Sequence, residues 1–65
     1  MVPKRSEIKP GQLVEFIQKH HRRSGELTEG IVMRILTKSP EHTHGIKIMT
    51  EDRLVGRVQA ILEDE

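Results

Sequence analysis

The chain contains no cysteine, no tryptophan and no tyrosine, and its single phenylalanine is Phe16. Without cysteine there is neither a disulfide framework nor a thiolate zinc site, and nothing points to an oxidising compartment. Any metal would have to be held by histidines and carboxylates. With one aromatic residue, the stacking rings that single-strand binders place under successive bases are all but excluded. No apolar run approaches the roughly 20 residues of a membrane-spanning helix. The segment MVPKRSEIKPG carries basic residues with no apolar core behind them, so we expect no secretory signal and a cytoplasmic location. A cysteine nucleophile, a glycine-rich phosphate loop and an informative carboxylate pair are also missing, and Ser24 and Ser39 fall where turns favour serine. The expectation is a protein that is not an enzyme and has no cofactor.

What remains is a chain of 65 residues. At about that size folding buries only roughly 60% of the surface of the unfolded chain, so one small domain is expected and a deep cavity is not. Eleven Lys and Arg face ten Asp and Glu, but Glu63, Asp64 and Glu65 crowd the C-terminus, leaving the preceding body basic. Such a balance permits contact with phosphates without demanding it.

Strand signals recur along the chain. Residues 1–9 lack a period and read as a flexible N-terminal arm charged by Lys4, Arg5 and Lys9. Pro10-Gly11 is a turn pair, after which Val14 and Phe16 alternate with Leu13 and Ile17. HHRRSGE, residues 20–26, holds no apolar side chain and reads as the tip between two antiparallel strands. LTEGIVMRILTKS also fits a helical spacing through Leu27, Ile31 and Ile35, but its β-branched residues and internal Gly30 favour a strand with a bulge or bend. GIKIMT alternates as a half-buried strand, EDR is a tight turn, and LVGRVQAIL is a last strand with Gly56 at a close approach or bend. In VQAILEDE three acids would oppose a helix dipole, so at most one helical turn is expected. The prediction is an all-β, SH3-like small barrel of four or five antiparallel strands over residues 10–62, followed by an acidic tail at 63–65. Its expected core is Val14, Phe16, either Ile31 or Val32, Ile35, Ile46, Ile48, Val58 and Ile61.

Several spaced elements carry a resemblance: Ile8-Lys9-Pro10-Gly11, Arg23-Ser24-Gly25 with Leu27-Thr28, Gly30-Ile31-Val32, Ile35-Leu36-Thr37, Ser39, His42-x-His44-Gly45-Ile46-Lys47 and Val55-Gly56-Arg57-Val58. Through them the chain resembles the YwbE-like family of small uncharacterised prokaryotic proteins over nearly its whole length. That resemblance implies no activity. Two positions depart from the family pattern: Thr43 stands where proline is usual, and Arg53 where glycine is usual in the last turn. KPGQLVEF, EGIVMRI and LVGRV are more weakly similar to SH3-like and KOW-type barrels, many of which are RNA-associated.

The stretch SPEHTHGIK concentrates the candidate chemistry. His42 and His44 fall on one side of an extended backbone and could meet one ion. A zinc site needs a third or fourth ligand from His20, His21 or Glu41, and no zinc spacing is present, so no metal is expected. In the structural reading Ser39 caps a helical start at Pro40, one imidazole bonds to the backbone, and Gly45 turns the chain into the next strand. For nucleic acid, Arg22, Arg23, Lys47 and Arg57, with His44, are the expected contacts, because guanidinium forks and ammonium groups suit phosphate. Lys19, Lys38 and the arm add charge. The leading expectation is weak binding of structured RNA or a ribosome-associated complex. The alternative is a protein-interaction module or homodimer that uses a sheet edge or the His42-His44 loop.

Overall fold

A computed structural model describes residues 2–63. The alternation read from the sequence becomes four strands: β1 (Leu13–Gln18), β2 (Thr28–Ile35), β3 (Lys47–Thr50) and β4 (Val55–Glu63). Short 3₁₀ turns cover Arg5–Glu7 and Lys19–His21. Each strand pairs antiparallel with its sequence neighbour, and β4 returns to pair with β1, so the sheet closes in the order β1-β2-β3-β4. This four-stranded closed barrel is compatible with the SH3-like expectation.

Val14, Phe16, Val32, Ile46, Ile48 and Val58 are buried at its centre, with Ile35, Leu54 and Ile61 packed against them. Of the pair left open, Val32 faces inward, in step with Gly30. A strand that keeps period two cannot bury both Val32 and Ile35, nor both Val58 and Ile61. Register shifts resolve this: one lies between Val32 and Arg34 on β2, and another opposite Glu15 and Phe16, where β4 steps from Ala60 to Val58. Each bulge reverses the inward face. Gly30 and Gly56 are not themselves the bulged residues. Both face the Phe16 ring, and an added side chain would also press on Thr50 at Gly30 and on the Ile17 carbonyl at Gly56.

Two polar residues share the core. Gln12 and Thr50 are buried, and each continues the inward phase of its strand, Gln12 before Val14 and Thr50 after Ile48. Gln12 accepts a hydrogen bond from the Lys9 N–H at 2.7 Å and donates to the Glu7 carbonyl at 2.9 Å. Thr50 Oγ1 accepts from the Leu54 N–H at 3.2 Å. Both satisfy turn backbone that the barrel has removed from water.

The ends differ from expectation. Ile8 is 3% exposed and belongs to the core. The Arg5 N–H donates to the Pro40 carbonyl and Arg5 Nε to the Thr37 carbonyl, each at 2.9 Å. Residues 4–9 therefore lie against the barrel and do not extend from it as an arm, because burying Ile8 and satisfying this backbone outweighs the local lack of apolar pattern. At the other end, Glu63 still pairs with Leu13 as the last residue of β4. Pairing with β1 satisfies the backbone of VQAILE as a strand, so no helical turn forms there; Asp64 and Glu65 lie outside the described residues. Ser39 and Pro40 also start no helix.

Arg53, in the EDR turn, has φ of 67° and donates its N–H to the Thr50 carbonyl at 2.9 Å. This left-handed conformation gives a physical reason for glycine at the position. Relief of the strain exceeds the entropy glycine adds to the unfolded chain, so Arg53→Gly is expected to gain about 0.5–1 kcal/mol. A melting curve checks this, with a Tm rise of a few degrees expected. An unchanged or lower Tm would show that the arginine is not strained.

Candidate functional site

The site begins with a cross-strand row. On the outside of the barrel Arg57 of β4 stands directly opposite Lys47 of β3, and on its other side opposite Ile17 of β1. Two like charges paired across strands destabilise a sheet unless something compensates them. Here the neighbours add more positive charge.

A groove of about 380 Å³ runs over this row. Its charged lining is Lys19 and Arg22 from the β1–β2 connection, Lys47 and Arg57. His42 and His44 form one side, and Ile17, Val55 and Gly56 provide apolar floor. Among the described residues no carboxylate lines it. The groove continues into a smaller recess bounded by Arg22, Thr43, His44, Arg57 and Gln59.

The cations are held at different degrees of rigidity. Arg57 Nη1 donates to Thr37 Oγ1 at 3.3 Å and to the Gly45 carbonyl at 3.2 Å. Those bonds hold the guanidinium, and its Nε and Nη2 make no hydrogen bond among the described residues. Thr37 Oγ1 also accepts from the Lys47 N–H at 2.8 Å. One threonine hydroxyl thus holds both the Arg57 guanidinium and the Lys47 backbone. Lys47, Lys19 and Arg22 are more exposed.

The histidine loop is fastened to the same strand. Gly45 N–H donates to the His42 carbonyl at 3.0 Å, closing a tight turn. The His44 N–H donates to His42 Nδ1 at 3.1 Å, and Gln59 Nε2 donates to the His44 carbonyl at 2.9 Å. The expected backbone bond of one imidazole is present, and His42 makes it. An accepting Nδ1 places the proton of neutral His42 on Nε2. Partial burial, the Arg57 guanidinium and His44 hold the pKa of His42 below its ordinary value.

The His42 and His44 rings lie 5.8 Å apart, and among the described residues no three His, Cys, Asp or Glu side chains are grouped to hold an ion. His21 Nε2 is instead 2.8 Å from Glu26 Oε2, within its own connection.

The family profile described as "Uncharacterized conserved protein (DUF2196)" matches residues 1–61. The chain belongs to this family. It is also 45% identical over 58 residues to a protein of Bacillus subtilis (strain 168) described as "Uncharacterized protein YwbE", covering 89% of each chain. No solved structure matches. The DUF2196 match runs across every element that builds the groove, from β1 through Arg57.

Of the contacts expected from the sequence, the fold brings Arg22, Lys47, Arg57 and His44 of this DUF2196 protein to one groove. Arg23 is exposed and does not line it. Lys19 and His42 join the site, and Thr37 positions it. Lys19 was legible as a charge but not as a wall, because the 3₁₀ turn that starts there redirects the chain. Thr37 gave no chemical signal: its role depends on a hydroxyl meeting residues 10 and 20 positions away.

Proposed function

We propose that the protein binds structured RNA, or the RNA surface of a ribonucleoprotein, through the groove lined by Lys19, Arg22, Lys47 and Arg57. The observation that carries this reading is four cations and two imidazoles around one concavity with no carboxylate among the described residues, in a chain whose formal net charge is only +1. A merely solvated face would be expected to intersperse both signs. Phosphate is the ligand that suits a fixed guanidinium beside an ammonium group. Because Phe16 is buried, the contacts are to the RNA backbone and carry no base sequence. Weak, largely non-specific binding follows. The groove is the better docking surface than a sheet edge, since the closed order leaves no terminal strand to template a dimer. The cytoplasm is the compartment that fits this role. No helix among the described residues is long and apolar enough to cross a membrane.

Binding of a labelled RNA hairpin across a salt series tests the proposal. Each phosphate contact contributes about −0.7 to −0.9 to the slope of log affinity against log salt, so four contacts give a slope of about −3. Arg57→Gln is expected to flatten that slope by about one and to weaken binding to every hairpin alike. Absence of binding at low salt, or affinity indifferent to salt, would rule out the phosphate mechanism.

A further inference from the structure

The proposed function uses the four permanent cations and leaves the two imidazoles of the groove without a task. We propose that His42 and His44 are ligands of a phosphoryl or similar oxyanion seated in the groove, His42 through its neutral Nε2–H and His44 as a proton-dependent ligand, so that capture of the anion takes up a proton. This inference rests on the groove being an anion site and names the chemistry that completes it.

Geometry carries the argument. Both imidazoles line the same concavity as Arg57 of β4, Lys47 of β3, and Lys19 and Arg22 of the β1–β2 connection. Behind the loop, Lys4 of the N-terminal segment and Glu41 of the loop itself lie beside His42 in a separate recess. On the groove side no group among the described residues opposes the positive charge. In the free protein an added proton there meets repulsion from every charged wall. With an oxyanion in place, the same proton lies beside a negative charge and is attracted.

The hydrogen bonds sort the two rings. His42 Nδ1 is occupied by the His44 N–H, so a neutral His42 has its Nε2–H to offer a ligand. Protonating Nδ1 would break the bond that shapes the loop. The His44 ring makes no side-chain hydrogen bond among the described residues, and both its nitrogens are open to a proton and an anion. Its carbonyl is held by Gln59 of β4 at 2.9 Å, which keeps the ring's attachment point fixed while the ring itself can turn. Linkage then requires reciprocity: if the anion favours the proton, the proton favours the anion by the same factor. Affinity must rise as pH falls through the histidine range.

The test uses the full chain with two probes whose own charge is constant between pH 5.5 and 8: inorganic sulfate and the RNA hairpin. Histidine C2–H resonances are titrated with and without saturating sulfate, and hairpin affinity is measured at pH 6 and pH 8. Sulfate is expected to make His44 titrate about one pH unit higher and to move His42 less. The hairpin is expected to bind about five- to tenfold more tightly at pH 6. In the His42→Gln/His44→Gln double variant, checked for an unchanged melting curve, the pH dependence should vanish while salt dependence persists. If that variant unfolds, His44→Gln alone, whose ring supports no loop hydrogen bond, must reduce the pH dependence. Sulfate that moves the histidine titrations, with no RNA binding, would support the anion site and overturn the RNA reading. RNA binding that is equal at both pH values, with unmoved histidine titrations, would overturn the proton coupling and leave the RNA reading standing.

Discussion

Replacing Gly45 with alanine is expected to lower stability by about 3 kcal/mol, the joint result of a strained φ and an overpacked contact. Gly45 has φ of +105°, a conformation L-residues rarely adopt. A methyl group there would press into the Val58 carbonyl oxygen and lie 3.1 Å from Gln59 Nε2. The Val58 backbone cannot withdraw readily, because its N–H is bonded to the Ile46 carbonyl at 2.9 Å and its side chain is buried. The loop must move instead, and it carries both histidines and the carbonyl that fixes Arg57. Chemical denaturation gives the stability change. Gly25→Ala is the control: φ is +72° but nothing lies within 4 Å of the added methyl, so only the conformational cost, about 1 kcal/mol, is expected. Equal losses in the two variants would show that the Val58 contact is unimportant.

Phe16→Ala is expected to cost about 3–5 kcal/mol, enough to leave the chain largely unfolded at 25 °C, since a core of this size supplies only about 3–5 kcal/mol in total. Phe16 is the largest fully buried side chain, and its ring occupies space that two strands have vacated. An added methyl at Gly56 would approach its Cδ2 to 2.6 Å, and one at Gly30 its Cε1 to 3.2 Å. No neighbour can expand to fill the void if the ring is removed. Phe16→Leu, which keeps most of the volume, should lose less than about 1.5 kcal/mol. Circular dichroism with urea titration distinguishes the outcomes: a fully folded Phe16→Ala protein would mean that the barrel collapses around the gap.

These two residues also show what could be read from sequence. Val14, Phe16, Ile46, Ile48 and Val58 follow strict alternation, and all are buried. Ile31 and Val32 could not be separated because both faces of that strand are apolar, and the bulge that admits Ile35 has no residue signature. Ile8 was missed for a different reason. It is an isolated apolar residue among polar ones, and only the hydrogen bonds of Arg5 to Pro40 and Thr37, far along the chain, bring it home. The site divides in the same way. Placing Lys47 and Arg57 on adjacent outward faces needed only strand order and period two, and the register pairs them directly. Joining them to the histidines needed the positive φ of Gly45 and the reach of Gln59, which are properties of the folded chain.

The β4 to β1 seam has a kinetic consequence. Leu13 pairs with Glu63 and Phe16 with Val58, so the barrel is closed by partners that lie more than 40 residues apart. Closing so long a loop entails an entropy loss before any contact repays it, and folding dominated by such distant pairings falls in the millisecond-to-second range. A chain emerging during synthesis has no barrel until β4 is available to pair with β1. Arg57 lies on that final strand, so the groove also comes into being late and as a unit. A polyanion meeting the partly made chain would encounter scattered charges and no seat.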